Sequence, residues 1–309
     1  MSVAMGLGAR GKAAMAAWDR FWFQPELPHR LAALRIAAGA MLFYTHLVWA
    51  VNLTGFLGPD AWIPRDLSRD MHAGSWSFSY LWYVDQPAVL WMLHVAALVV
   101  FALLTLGLWT RVVSILALVI TLSYCHRLEG SLFGLDQFNT MAAMYLAVGA
   151  SGGVWSLDSW LRRRRGEGDV VPSVSTTIAT RLWQIHMCII YLFGGIGKAR
   201  GELWWDGFAL WYAAANSEYQ SVPLTWIIYA PFLMAFLTHL TVFWETFYAA
   251  TIWRPSLRFW TLAIAVLVHL GIAVHLGMIT FGLAMIIGNA AFVPLAWFAR
   301  WDRRLAGAS

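Results

Sequence analysis

Apolar residues along the chain fall into eight long runs, at about 33–53, 88–108, 111–126, 137–150, 181–198, 223–251, 258–275 and 277–296, and most charges lie between them. A helix rises about 1.5 Å per residue and needs about 20 apolar residues to cross hydrocarbon. The pattern therefore predicts an all-α, polytopic transmembrane helix bundle of about eight spans. The fourth run is short for a simple crossing, which predicts tilt, local thinning or a helix buried within the bundle. No internal repeat recurs at a fixed period. Residues 1–309 read as a single domain of two four-helix halves, joined by a linker near 161–180. That linker holds RRRRGEGD and a Pro/Ser/Thr stretch, a composition suited to contact with anionic lipid headgroups.

The basic residues orient the bundle. An even number of spans puts both termini on one side, together with Arg111, Arg162 to Arg165, Arg181, Arg254 and Arg258. With the basic residues of the two ends, Arg303 and Arg304 among them, that side holds fifteen of the 21 Lys and Arg. The other side holds five, Arg65, Arg69, Arg127, Lys198 and Arg200, and Arg35 lies within the first run. Positive charge accumulates on the cytoplasmic side, so both termini are expected there and Lys198 near the outer face. The outer segments 54–87 and 199–222 are rich in Trp, Gly, Pro and acids. They are expected to lie in the interface or to cover a cavity.

Composition agrees with a lipid solvent: 60% of residues are hydrophobic, 12% are charged, and 20 are Trp. The net charge of +5 belongs to the short loops and not to a basic-aromatic module, so no nucleic-acid partner is expected. Met1 to Pro28 lacks a long apolar run followed by a small-residue cleavage site, so the first span is expected to remain as an anchor. Cys125 and Cys188 lie in separate apolar runs without metal-ligand spacing and are expected to pack as small apolar groups.

Candidate chemistry concentrates in Arg181 to Gly207. Gln184, Tyr191 and Lys198 recur every seven residues and share one face of an otherwise apolar helix. Gly194, Gly195 and Gly197 remove side chains just before the lysine, so a second helix or a flat ligand could approach there. A lysine set among apolar groups can serve as a base in its amine form. A lysine at a helix end can also reach out to the headgroups. Arg35 and Glu245, both placed towards the cytoplasmic ends of their spans, are expected to form a structural ion pair.

Towards the outer side the same topology gathers His46, His94, His126, His269 and His275 with Asp136, Gln137 and Asn139. Polar groups brought to one depth by several helices suggest an outward cavity. His269 and His275 are about 240° apart around a helix and no HExxH-like spacing occurs, so no metal is expected. His186 and His239 are read as structural.

These residues resemble the horizontally transferred transmembrane (HTTM) domain, the membrane part of vitamin K-dependent gamma-carboxylases, over nearly the whole chain. The similar pieces are RIAAGAM at 35–41, LGLWTR at 106–111, WSLD at 155–158 and, most specifically, QIHMCIIYLFGGIGKARGELWWDG at 184–207. The resemblance implies that Lys198 occupies the place of the lysine that deprotonates reduced vitamin K. It also implies a reduced, vitamin K-like quinone as the cofactor, and carboxylase-like lyase or quinol-oxidising chemistry. Two departures from the family pattern are expected: Asp136-Gln137 stands where the carboxylases have Asn-His, and their large lumenal portion is not expected after the eighth span, which is followed by WDRRLAGAS.

Two functions follow as expectations. In the first, Lys198 is a base acting on a quinol-like, lipid-soluble substrate, with Asp136, Gln137 and His269 in the catalytic set and Tyr191, Gly194 and Gly195 holding the ring. In the second, the protein is a non-catalytic membrane partner for maturation of, or immunity to, a secreted peptide, as in some bacterial proteins with the same domain. Lys198 would then pair with an acid such as Glu202 or Asp206. Either reading expects an integral protein of a bacterial inner or cell membrane, in contact with membrane lipids, with its site facing outward.

Overall fold

The computed structural model describes residues 2–168, 170–298 and 300. The regular structure of the described residues is helical; the sole β feature among them is one isolated bridge between Glu26 and Ser173. The protein is all-α, and three of the described helices are long and apolar enough to cross a membrane: His29–Ala50, Pro87–Leu106 and Pro255–His275. Arg303 and Arg304 of the charge count lie outside the described residues.

The chain divides into two units. The first contains α1 (Ser2–Phe23), α2 (His29–Ala50), α3 (Leu53–Leu57), α4 (Arg65–Met71), a 3-10 turn (Tyr80–Tyr83), α5 (Pro87–Leu106), α6 (Thr110–Arg127), α7 (Gly134–Val148) and α8 (Leu157–Arg164). It also takes the beginning of α9 (Val174–Ala199), up to Trp183, and the segment from Pro294 onward. The second unit runs from Gln184 to Val293. It contains the rest of α9, α10 (Glu202–Trp205), α11 (Ala209–Ala215), a 3-10 turn (Thr225–Tyr229), α12 (Pro231–Thr251), α13 (Pro255–His275), α14 (Ile279–Asn289) and a final 3-10 turn (Ala290–Phe292).

In the first unit α2 packs on α5, α5 on α6, and α6 on α7. Gly39 is what lets α2 approach α5: a Cβ there would lie 2.8 Å from Thr105 Oγ1 and 3.1 Å from its Cα. Gly107 ends α5 in the left-handed region at φ 72°, where its amide reaches the Leu103 carbonyl at 2.8 Å. The chain then turns directly into α6. Asp158 closes that turn by accepting from the amides of Trp109 and Thr110, each at 2.8 Å, and from Thr110 Oγ1 at 2.6 Å.

Each of the eight apolar runs holds a helix, with two shortened ends. Residues 225–229 of the sixth run form a 3-10 turn, and α12 starts only at Pro231, where proline suits the first helical position. The eighth run stops as an α-helix at Asn289, five residues ahead of Pro294. In the opposite direction, α1 forms where no apolar run pointed to a helix, and its residues 10–20 are exposed.

Candidate functional site

Lys198 occupies the last turn of α9. Its Nζ donates to Glu245 Oε2 of α12 at 2.6 Å, and the Trp204 ring lies 5.5 Å from the same nitrogen. Both side chains of the pair are largely withdrawn from solvent, with exposures of 28% for Lys198 and 10% for Glu245. Glu245 was expected to pair with Arg35, and the structure corrects this. Arg35 is fully buried in the first unit, where it donates to the backbone carbonyls of Ser151 at 3.1 Å and Trp155 at 2.5 Å. Carbonyl dipoles of the turn after α7 thus hold Nη1 and Nη2 of the guanidinium, and Glu245 pairs with the lysine. The acids proposed for Lys198, Glu202 and Asp206, are not its partner.

The stagger of α9 against α12 explains how a residue late in α12 meets one at the end of α9. A Cβ on Gly195 would lie 2.5 Å from both the Thr246 amide nitrogen and Thr246 Oγ1, so the bare backbone of α9 is in contact with α12 at the residue after Glu245. The space at Gly195 therefore belongs to helix packing and not to a ring. Gly194 faces the ion pair, its imagined Cβ 3.2 Å from Glu245 Oε2 and 3.8 Å from Lys198 Nζ. Gly197 has nothing within 4 Å and is the open side of the group.

A second set of polar side chains lies deeper in the same unit. Asn289 Nδ2 donates to Tyr191 Oη at 2.7 Å, and Tyr248 Oη donates to Asn289 Oδ1 at 2.7 Å. Tyr191 Oη is 2.8 Å from His269 Nε2. The tyrosine oxygen accepts from Asn289; where its own proton is given to His269 Nε2, the histidine proton resides on Nδ1. That Nδ1 is buried without a partner among the described residues. All four side chains are buried, and Trp244 and Tyr248 pack on the Tyr191 ring at 4.9 and 4.2 Å between centroids. The two sets share helices, Tyr191 and Lys198 lying on α9 and Glu245 and Tyr248 on α12. Gln184, the third member of the seven-residue stripe, donates to the Ala291 carbonyl at 2.7 Å.

Other residues of the expected cluster go elsewhere. Asp136 and Gln137 belong to the first unit, whereas Lys198, Tyr191 and His269 belong to the second. Asp136 Oδ2 accepts from the Phe133 amide at 3.0 Å and so caps α7; Gln137 is exposed. His46 and His94 join Tyr124 in the first unit, with His94 Nδ1 2.7 Å from Tyr124 Oη and His46 Nδ1 donating to the Leu42 carbonyl at 2.8 Å. Asn139 donates to Thr45 Oγ1 at 3.1 Å, and beside it a cavity of about 10 Å³ lies between His46, Tyr124 and Asp136, room for about one water. His126 and His275 contact loop carbonyls of Phe78 and Val222, at 2.8 and 3.2 Å. His239 lies between the carbonyls of Ala235 and Trp205, at 2.8 and 3.0 Å.

Among the described residues no three His, Cys, Asp or Glu converge on a common point. Glu245, Tyr248 and Asn289 complete the Lys198–Tyr191–His269 neighbourhood, and Tyr248 and Asn289 were not singled out from the sequence. Their signal is visible afterwards: both are hydrogen-bonding side chains inside apolar runs, where each needs an internal partner. Compared with protein-family models, with curated proteins and with solved structures, the chain matches none.

Proposed function

We propose that the second unit handles a proton of a weakly acidic, lipid-soluble hydroxyl compound of the reduced-quinone type, with Lys198 and Glu245 acting as one acid–base pair. The observation that carries this reading is the 2.6 Å hydrogen bond between an ammonium and a carboxylate in a largely apolar wall, open on its Gly197 side. In such surroundings the proton on Lys198 can pass to the carboxylate, giving an amine beside a carboxylic acid. The amine then accepts the proton of the substrate hydroxyl. The substrate anion that results faces the ammonium just formed, a charge placed where negative charge develops. Glu245 keeps the transferred proton until the pair is reset from the aqueous side.

The residues fit a hydroxyl-bearing ring on two counts: the open edge at Gly197, and the unpartnered Nδ1 of His269, a donor suited to an oxygen. Gly195 drops out of the ring-holding set and Gly194 and Tyr191 remain as its border. Asp136 and Gln137 have no part in the proton transfer proposed here. The resemblance of 184–207 to the carboxylase membrane domain supports a quinol as substrate, and an eight-span bundle with cytoplasmic termini lets that substrate enter from the bilayer.

The test is spectroscopic. A reduced naphthoquinone added to the protein in lipid nanodiscs is expected to show the absorbance of its anion at a pH where the free quinol is neutral. Lys198→Met and Glu245→Gln are each expected to abolish that signal. An unchanged quinol spectrum with the wild-type protein, together with no quinone among its copurified lipids, overturns the proposal. The second reading, a membrane partner of a secreted peptide, is favoured by the completeness of the Lys198–Glu245 pair, which needs no further ligand. That reading expects Lys198→Met to lower stability alone.

A further inference from the structure

Away from the lysine, the first unit contains a charge without a counter-charge. Arg127, the last residue of α6, is fully buried, and its Nε, Nη1 and Nη2 have no hydrogen-bond partner among the described residues. A guanidinium stays protonated in proteins, so these are five N–H donors held out of water. Leaving such a charge unpaired is costly.

Two further polar groups, one on α6 and one on α4, which packs on it, also lack a hydrogen-bond partner. Ser123, one turn earlier on the same face of α6, has a buried hydroxyl without a partner, and Arg65 of α4 has a buried Nε without one. Arg65 lies on α4, whose Ser68 is hydrogen-bonded to the Arg127 carbonyl, and brings a second positive charge to this helix pair. The local carboxylates are engaged elsewhere: Asp85 with Arg65, Asp66 with Arg65 and Arg69, and Glu129 with His72 at 3.2 Å.

The frame around these donors is ordered by hydrogen bonds. Ser68 of α4 donates to the Arg127 carbonyl at 3.2 Å and receives the Trp82 indole N–H at 3.1 Å. Ser79 donates to the Ser123 carbonyl at 2.6 Å. The Arg65 side chain, 31% exposed, lies on the outer side of the group. Trp62, Trp76, Phe78 and Tyr83 of the same segment are exposed, a composition that seats a segment among lipid headgroups.

We infer that Arg127, Arg65 and Ser123 form a binding site for a phosphate oxyanion at the membrane–water boundary. Arg127 and the Ser123 hydroxyl have no acceptor, Arg65 adds a second positive charge beside its own carboxylate partners, and an acceptor-rich anion supplies what Arg127 and Ser123 lack. The phosphate can come from a phospholipid headgroup or from solution, and the experiment separates the two.

The wild-type protein in a non-ionic, phosphate-free detergent is melted against increasing inorganic phosphate, against dihexanoyl phosphatidylglycerol, and against chloride at matched ionic strength. A saturable rise in melting temperature with either phosphate compound and not with chloride is expected. A response to the lipid alone assigns the headgroup, and a response to inorganic phosphate assigns a soluble anion. Arg127→Gln is expected to weaken the apparent affinity about ten- to a hundredfold, the loss of one or two charge-assisted hydrogen bonds. Where that variant does not fold, Arg65→Gln is read instead and is expected to weaken it by a smaller factor. No phosphate-dependent shift in the wild type, or an undiminished shift in the variant that folds, overturns the site.

Discussion

Lys198 and Glu245, on two different helices of the second unit, share a 2.6 Å hydrogen bond that neither residue's position in its own apolar run announces. Each is the other's counter-charge. Removing one partner leaves a largely buried charge alone, at a cost of about 3 kcal/mol, the low end for a buried pair because Lys198 is 28% exposed. Lys198→Met and Glu245→Met are each expected to lower the unfolding midpoint in detergent. The double replacement Lys198→Met with Glu245→Met is expected to recover most of the loss, and a double-mutant cycle on melting data measures the coupling. Additive losses would show that the two side chains do not depend on each other.

Gly195 and Gly197 are two residues apart on α9 and are expected to respond oppositely to alanine. At Gly195 the new Cβ meets the Thr246 backbone at 2.5 Å, and overpacking of that kind costs about 1–3 kcal/mol. At Gly197 nothing lies within 4 Å, so alanine is neutral or stabilising by up to about 1 kcal/mol through helix propensity. Thermal melts of the two variants side by side check the pair of signs.

Tyr191→Phe deletes one oxygen that serves both Asn289 and His269. Two buried polar groups then lose a partner, for an expected loss of about 1–3 kcal/mol. Tyr248→Phe leaves Asn289 bonded to Tyr191 and is expected to cost less. An equal loss in the two variants would argue against Tyr191 as the hub.

Asp158 caps α6 with three hydrogen bonds across the sharp turn at Trp109, where φ is 48°. Asp158→Ala is expected to cost about 1–2 kcal/mol, the usual range for an N-terminal cap, with Asp158→Asn retaining part of it. Proteolysis of the α5–α6 turn, followed by mass spectrometry, is expected to speed up in the alanine variant.

The eight-crossing topology is tested at Arg163 and Trp76, both exposed and expected on opposite sides of the membrane. Single cysteines at the two positions, labelled by an impermeant maleimide in intact cells, are expected to react at 76 and to be protected at 163. Equal labelling of both would remove the arrangement with cytoplasmic termini.

The amino-acid sequence by itself determined the all-α class and the location of the long apolar helices, because run length and apolarity are properties of a segment alone. It also marked Tyr191, Lys198 and His269 as polar groups in apolar surroundings, which structure then placed in one neighbourhood. Pairing was another matter. Whether Glu245 meets Arg35 or Lys198, and whether Gly195 admits a ring or a helix, depend on the rotation and stagger of one helix against the next, whereas Asp136 caps its own helix through a bond three residues away. Those offsets are set by close contacts such as Gly195 against Thr246 and Gly39 against Thr105, between residues dozens of positions apart. Periodicity along one helix says which face is polar, and only the packed helices decide what that face meets.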